Sequence, residues 1–306
     1  MNEEMRIKNL SVPKGRIDVV LDTDAYNEID DQFAISYMLL SKEKLNTKAI
    51  YAAPFHNTRS NGPKDGMEKS YDEIIRLLDF LGEKVEVFKG SEKYLENETT
   101  PVISPTAKDL AERVNDYSPE NPLYVVAIGA ITNVASAILL NPKFCENAVV
   151  VWLGGHAMHY HDTKEFNMYQ DVAAARVVMG SGVPFVMLPC MGVVSEFRIS
   201  KPELEYWLKG KNPLADYLAD AAIKEADSYA FGKTWTRVIW DVTAVGWLLF
   251  DNDWMMPSRL IPTPMPTYDN QYSIVPNNHL MRYVYSINRD ELMMDLFNKI
   301  ICFKKM

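Results

Sequence analysis

Apolar positions in this chain fall into two alternating rhythms, short continuous runs and longer stretches with helical spacing. Residues 16–23 carry Ile17, Val19, Val20 and Leu21 as an unbroken run, which predicts a strand buried on both faces. Residues 30–41 place Phe33, Ala34, Tyr37, Met38 and Leu40 at helical spacing. Residues 48–53 predict a second strand ending at Pro54, and residues 67–81 a helix with Met67, Tyr71, Ile74, Ile75 and Leu78 on one face. A short strand follows at 85–88.

The alternation continues. Ser104-Pro105 suits an N-cap and first helical position, opening a helix to about residue 115. Strands are expected at 123–128, 148–153 and 184–188, and helices at 132–140 and 171–179. Strand and helix in strict turn predict an α/β fold with an open, mostly parallel, doubly wound (Rossmann-like) sheet. After Pro189 the rhythm changes to helices at 202–209, 213–230 and 241–249. Residues 257–288 hold five prolines and predict irregular or hairpin structure. An amphipathic helix at 289–301 completes a helical C-terminal elaboration. With no linker, repeat or low-complexity stretch, residues 1–306 are expected to form a single domain.

Composition adds exclusions. The 306 residues are 47% hydrophobic and 24% charged, with a net charge of −9, ordinary for a globular protein. An acidic balance lacks the basic footprint that nucleic acid or an anionic membrane requires. Cys145, Cys190 and Cys302 are odd in number and without C-x-x-C spacing, which disfavours a disulfide framework or zinc site. The first residues lack an apolar core like that of a signal peptide, and no apolar run approaches a membrane span. A cytoplasmic location is the expectation.

The candidate chemistry concentrates in Asp22-Thr23-Asp24-Ala25-Tyr26-Asn27-Glu28-Ile29-Asp30-Asp31, at the carboxyl end of the first strand. Open α/β sheets bind ligands at that edge. Carboxylates this close repel unless a cation holds them, and oxygen ligands select a hard cation such as Ca²⁺ or Mg²⁺. Helix capping by Asp30 or Asp31 would account for one aspartate, not four.

The stretch resembles the D-x-D-P-G-x-D-D motif of the inosine-uridine-preferring nucleoside hydrolase family. Asp22/Asp24 and Asp30/Asp31 match its two aspartate pairs, while Ala25–Ile29 is two residues longer than the family's turn and adds Asn27 and Glu28 at the site's edge. Further segments resemble family landmarks in order. They are Ile128-Gly129-Ala130-Ile131-Thr132-Asn133-Val134-Ala135, Val149–Gly155, Glu165-Phe166-Asn167 through Ala175, and Trp240-Asp241-Val242-Thr243-Ala244-Val245.

The resemblance implies hydrolysis of the N-glycosidic bond of a ribonucleoside to ribose and free base. It implies that Asp24, Asp31, Asp241 and the Ile128 carbonyl hold an ion, Ca²⁺ ahead of Mg²⁺. Asp24 would be the general base toward a calcium-bound water, with Asp241 beside it in the catalytic set. Asp30, Glu165, Asn167 and Asp241 would bind ribose hydroxyls, with Asn57 in the same shell and Asp22 supporting it. The implied substrate is a small-molecule nucleoside, and the implied assembly a homo-oligomer, dimer or tetramer. The residue types suit the reaction, because carboxylates stabilise an oxocarbenium-like sugar and clamp its hydroxyls.

Trp240 departs from the pattern, since many relatives carry a histidine there to protonate the leaving base. Its indole is expected either to stack on the base or to pack in the core. Among His156, His159 and His161, one is expected near the substrate, and His159 is the candidate. Arg237 is expected to pair with Asp241, and Tyr229, Phe231 and Trp235 to pack in the core. Two alternatives are a non-catalytic or weakly catalytic nucleoside-binding protein and a haloacid-dehalogenase-type phosphatase using Asp22 as nucleophile.

Overall fold

The structure, a computed structural model, describes residues 1–252 and 254–304. Its centre is an eight-stranded sheet made of β1 (Ile17–Thr23), β2 (Leu45–Ala52), β3 (Glu86–Lys89), β4 (Leu123–Ala127), β5 (Ala148–Leu153), β6 (Phe185–Leu188), β9 (Ser258–Pro262) and β12 (Leu280–Val284). Two short antiparallel pairs lie outside it: β7 (Arg198–Ser200) with β8 (Thr236–Val238), and β10 (Met265–Pro266) with β11 (Tyr272–Ser273). The order across the sheet is β3-β2-β1-β4-β5-β6-β12-β9, parallel throughout except for β9, which runs antiparallel to β12.

The pleat sorts each strand between two apolar layers. Val19 and Leu21 of β1 join one core while Val20 joins the other, and in β5 Val149, Val151 and Leu153 oppose Val150 and Trp152. The first layer is covered by α2 (Asp30–Leu39), α3 (Pro63–Leu81), α9 (Lys201–Trp207), α10 (Pro213–Ala230), α11 (Val242–Leu249) and α12 (Arg289–Cys302). The second is covered by α4 (Pro105–Arg113), α5 (Thr132–Leu140), α6 (Phe144–Asn147) and α8 (Val172–Gly180). Helices α1 (Glu3–Asn9) and α7 (Phe166–Gln170) complete the set. Helix α2 is buried along its whole length, its polar Asp30, Asp31, Gln32 and Ser36 included. No helix among the described residues is long and apolar enough to cross a membrane.

The stretch 257–288 holds the antiparallel pairs β9–β12 and β10–β11, as the hairpin expectation allows. What was not expected is that β12 extends the central sheet parallel to β6, with β9 closing its edge. The prolines of the stretch hid this, but Pro257 precedes β9, Pro262 ends it on the edge where an N–H is dispensable, and Pro264, Pro266 and Pro276 lie outside both strands. Helix α3 also begins earlier than expected, with Pro63 in its first turn.

Candidate active site

Topology gathers the chemistry at the carboxyl edge of β1, β4 and β5. Asp22 and Thr23 end β1, and the chain then turns, with Asn27 N–H donating to Asp24 O at 2.7 Å, before α2 begins at Asp30. No side chain caps α2, so Asp30 and Asp31 are not spent as caps. Asp241 immediately precedes α11, and α11 packs on α2, which brings Asp241 to the first loop across 210 residues. Ligand oxygens of Asp30, Asp31 and Asp241 fall within 4.8 Å of one another. Asp24, on the same turn, faces Gly129, where a Cβ would lie 3.1 Å from Asp24 Cγ and 3.1 Å from Ala53 Cβ. Only glycine leaves Asp24 its place there.

All five aspartates are buried. Asp22 Oδ1 accepts from Asn133 Nδ2 at 2.8 Å, and Asp31 Oδ1 accepts from Thr23 Oγ1. Asp30 Oδ2 accepts from the Trp240 N–H at 3.1 Å. Asp22 Oδ2, Asp24 Oδ2 and Asp31 Oδ2 are buried with no hydrogen-bond partner among the described residues. Burial pushes the Asp22 carboxyl up to about 7, against the pull of Asn133, and burial likewise carries Asp31 to about 7. Asp24 and Asp241 are driven well above the usual range, first by burial and then by neighbouring carboxylates. Acids this crowded stay ionised only with a cation among them. The donor set is all oxygen, and the orphaned Asp24 and Asp31 oxygens suit a hard divalent ion.

A cavity of about 220 Å³ opens beside this cluster, lined in part by Asn27, Glu28, Asp30, Ile128, Trp240 and Asp241. It is smaller than the roughly 300–1,000 Å³ of drug-sized ligand pockets, which suits a small ligand. Glu165 and Asn167 stand on its wall at the start of α7. The Glu165 carboxylate accepts backbone N–H bonds from Gly155, Asn167 and Met168 at 2.8, 2.9 and 3.0 Å. Asn167 Nδ2 donates to the carbonyls of Ile128 (3.2 Å) and Leu153 (3.0 Å). The Asn167 amide thus bridges the ends of β4 and β5, and its Oδ1 remains as an acceptor.

The structure brings Asp24, Asp30, Asp31, Ile128, Glu165, Asn167, Trp240 and Asp241 to this one edge. Asn57 stands further out, since its Nδ2 donates to Asn27 Oδ1 at 2.7 Å and it does not line the cavity. Among the three histidines the cavity takes His156 rather than His159, which is exposed and faces Gly192. The reason is chain direction. His156 directly follows the Gly154-Gly155 turn at the end of β5, while His159 lies within the next turn, closed by Tyr160 N–H donating to Ala157 O.

Arg237 pairs with Glu28 (2.6 Å) and Glu225 (3.3 Å) instead of Asp241. It projects from β8, not from an early turn of α11, so the helical spacing to Asp241 does not exist. Tyr229 and Phe231, expected in the core, are exposed at the end of α10. Trp235 does pack against the first apolar layer, with its indole N–H on Asp227. Asp22 lies beneath the cluster as a supporting acid, its Oδ1 held by Asn133, and Asp24 and Asp31 likewise lie behind the wall that Asp30 and Asp241 form, an arrangement that lends no support to a phosphatase using Asp22 as nucleophile. Sequence reasoning missed Asn133 as a support for Asp22, although an asparagine inside the apolar run 132–140 was the signal.

Residues 19–282 match the family described as inosine-uridine preferring nucleoside hydrolase, and the chain belongs to that family. A pyrimidine-specific ribonucleoside hydrolase from Citrobacter koseri is 28% identical over 216 residues, 62% of this chain and 66% of that protein. A pyrimidine-specific ribonucleoside hydrolase from Salmonella arizonae is 27% identical over 227 residues, covering 66% of this chain and 69% of its own. The match thus spans about two thirds of these curated relatives. The fold is similar to a purine-preferring ribonucleoside hydrolase from Gardnerella vaginalis, with TM-score 0.74, 19% identity and coverage of 93% of this chain and 98% of that one. It is also similar to a plant nucleoside hydrolase, with TM-score 0.73, 17% identity and coverage of 95% and 100%.

Proposed function

We propose that this protein hydrolyses the N-glycosidic bond of ribonucleosides, releasing ribose and the base. The observation that supports this reading is the buried cluster of Asp24, Asp30, Asp31 and Asp241, with orphaned oxygens on Asp24 and Asp31, set beside a small cavity in a nucleoside hydrolase family member. Asp24, Asp31, Asp241 and the Ile128 carbonyl would hold a hard divalent cation, calcium ahead of magnesium. When bound, the ion supplies Lewis acidity toward water and sugar hydroxyls.

The chain's own residues do the rest. Asp24, buried and with one oxygen free of protein partners, takes the proton of the attacking water. Asp30, Glu165 and Asn167 Oδ1 accept hydrogen bonds from ribose hydroxyls and fix the ring. As the C1′–N bond lengthens, positive charge grows on the sugar, and the surrounding carboxylates stabilise it. The narrow, largely buried wall limits competing water. The same reading carries a homo-oligomeric assembly, which sedimentation of the purified chain would test.

The experiment is to incubate the protein with inosine, uridine and p-nitrophenyl riboside in the presence of Ca²⁺ and to measure released ribose. Turnover of at least one riboside, abolished by chelation, is expected. Ribose binding with no turnover of any of the three would instead establish the non-catalytic binding alternative.

A further inference from the structure

The cavity is acidic on several sides, yet no lining residue among those described is placed to give a proton to a leaving group. Trp240 occupies the wall, and an indole N–H is not an acid at neutral pH. His156 Nδ1 accepts from the Met191 N–H at 3.3 Å, so the ring keeps its single hydrogen on Nε2, 4.0 Å from Asp162 Oδ1. Cys190 is buried with its thiol on Glu165. Lys164 is exposed at the mouth, with Nζ over the Tyr169 ring, 5.8 Å from its centroid. Three of the four wall carboxylates act as acceptors, and the fourth, Asp241, belongs to the aspartate cluster proposed to hold the cation. Glu165 takes three N–H bonds, Asp30 takes that of Trp240, and Glu28 takes the Arg237 guanidinium.

Glu28 adds a second feature. It lies in the longer first turn, lines this cavity, and also lines the neighbouring cavity of about 530 Å³ bounded by Arg59, Tyr217 and Glu225. Its carboxylate is fixed by Arg237 at 2.6 Å, but Arg237 also lies 3.3 Å from Glu225 and thus divides its charge between two acids. Arg59 is in turn held by Glu225 at 2.6 Å. The wall beyond the aspartate cluster therefore presents an anchored carboxylate and an indole.

A neutral nucleoside releases its base as an anion unless a proton arrives. A riboside whose ring nitrogen already carries positive charge releases a neutral base and needs none. We infer that the substrates best suited to this site are N-ribosides with a cationic heteroaromatic aglycone, such as a ribosylpyridinium or an N7-alkylated purine riboside. This rests on the hydrolase reading above. Glu28 attracts the positive ring and Trp240 offers its face to it, a cation–π contact. In the step, the C1′–N bond breaks with its electron pair moving onto the ring nitrogen, which loses its charge. The water oxygen bonds to C1′, and the water's proton passes to Asp24. Charge and atoms balance with no other reactant.

The test is kcat/KM of the Ca²⁺-loaded protein for nicotinamide riboside, 7-methylguanosine, inosine, uridine and p-nitrophenyl riboside. The two cationic ribosides should exceed inosine and uridine by about 100-fold or more, the usual worth of a missing general acid. Glu28→Gln should lower the cationic ribosides roughly tenfold and p-nitrophenyl riboside much less. Trp240→His should raise inosine turnover relative to the cationic ribosides. Inosine or uridine cleaved within tenfold of the cationic ribosides would overturn the inference while leaving the hydrolase reading intact. Equal losses on all substrates in Glu28→Gln would reduce Glu28 to a structural part and overturn its selecting role. Failure to cleave any of the five, the activated p-nitrophenyl riboside included, would remove the hydrolase reading itself.

Discussion

The backbone N–H of Trp240 donates to Asp30 Oδ2 at 3.1 Å, joining the entry to α11 with the start of α2 across 210 residues. This bond ties the last part of the site in the chain to the first. It also aims Asp30 by a main-chain donor, which survives any change of side chain at position 240. Trp240→His should therefore leave the aspartate cluster undisturbed, and the melting temperature should stay within about 3 °C of the parent, as for a change worth no more than about 1 kcal/mol.

Asp24→Asn is expected to lower kcat at least about 10³-fold on every riboside while the far-ultraviolet circular dichroism is unchanged. Without cation, burial and neighbouring carboxylates already hold the Asp24 carboxyl protonated, so the isosteric amide should leave the metal-free variant melting close to the metal-free parent. Near-normal turnover would show that another group takes the proton.

Without cation, stability should fall as pH rises from about 4 to 7. Asp22 and Asp31 are raised from ordinary carboxyl values to about 7 by burial. Their folded forms hold protons that the unfolded chain has already released, so stability present below about pH 4 is lost through that window. A bound cation reverses the preference. At a hundredfold excess over Kd it adds about 2.7 kcal/mol, roughly 4 °C for a chain of this size. Calorimetry with and without Ca²⁺ should show that gain at pH 8 and little of it at pH 5.

Asn133 holds three partners besides Asp22. Its Nδ2 also reaches Ala52 O at 3.3 Å, and its Oδ1 accepts from the Ser91 N–H and Oγ at 2.8 Å. Asn133→Ala strands buried polar groups at about 1–3 kcal/mol each, for a loss of roughly 5–10 °C in Tm. Because Asp22 underlies the cluster, Ca²⁺ affinity should fall roughly 10–100-fold as well. Titration calorimetry separates the two effects.

Gly129→Ala would set a methyl 3.1 Å from Asp24 Cγ and 3.2 Å from Asp24 Oδ1. The carboxylate must give way by a few tenths of an ångström. A loss of about 10–100-fold in kcat/KM with little change in Tm is expected, since small misplacements at a reacting group cost rate before stability. Unchanged kcat/KM would show that the position of Asp24 is not critical.

The sequence by itself determined the α/β alternation, because strands buried on both faces must be continuously apolar and their crossover helices must show helical spacing. It also pointed to Asp22–Asp31, since acids at a strand's carboxyl end have no structural reason to cluster. It did not reveal that β12 joins the central sheet, with β9 at its edge, because β6 is distant from β12 in sequence and the prolines sit just where the edge tolerates them. Nor did it decide which histidine enters the cavity, or that Arg237 turns to Glu28. Those outcomes depend on where turns aim side chains after the chain has packed. Local periodicity carries the elements, whereas the meeting of Asp30, Asp31 and Asp241 is decided only when α11 packs against α2.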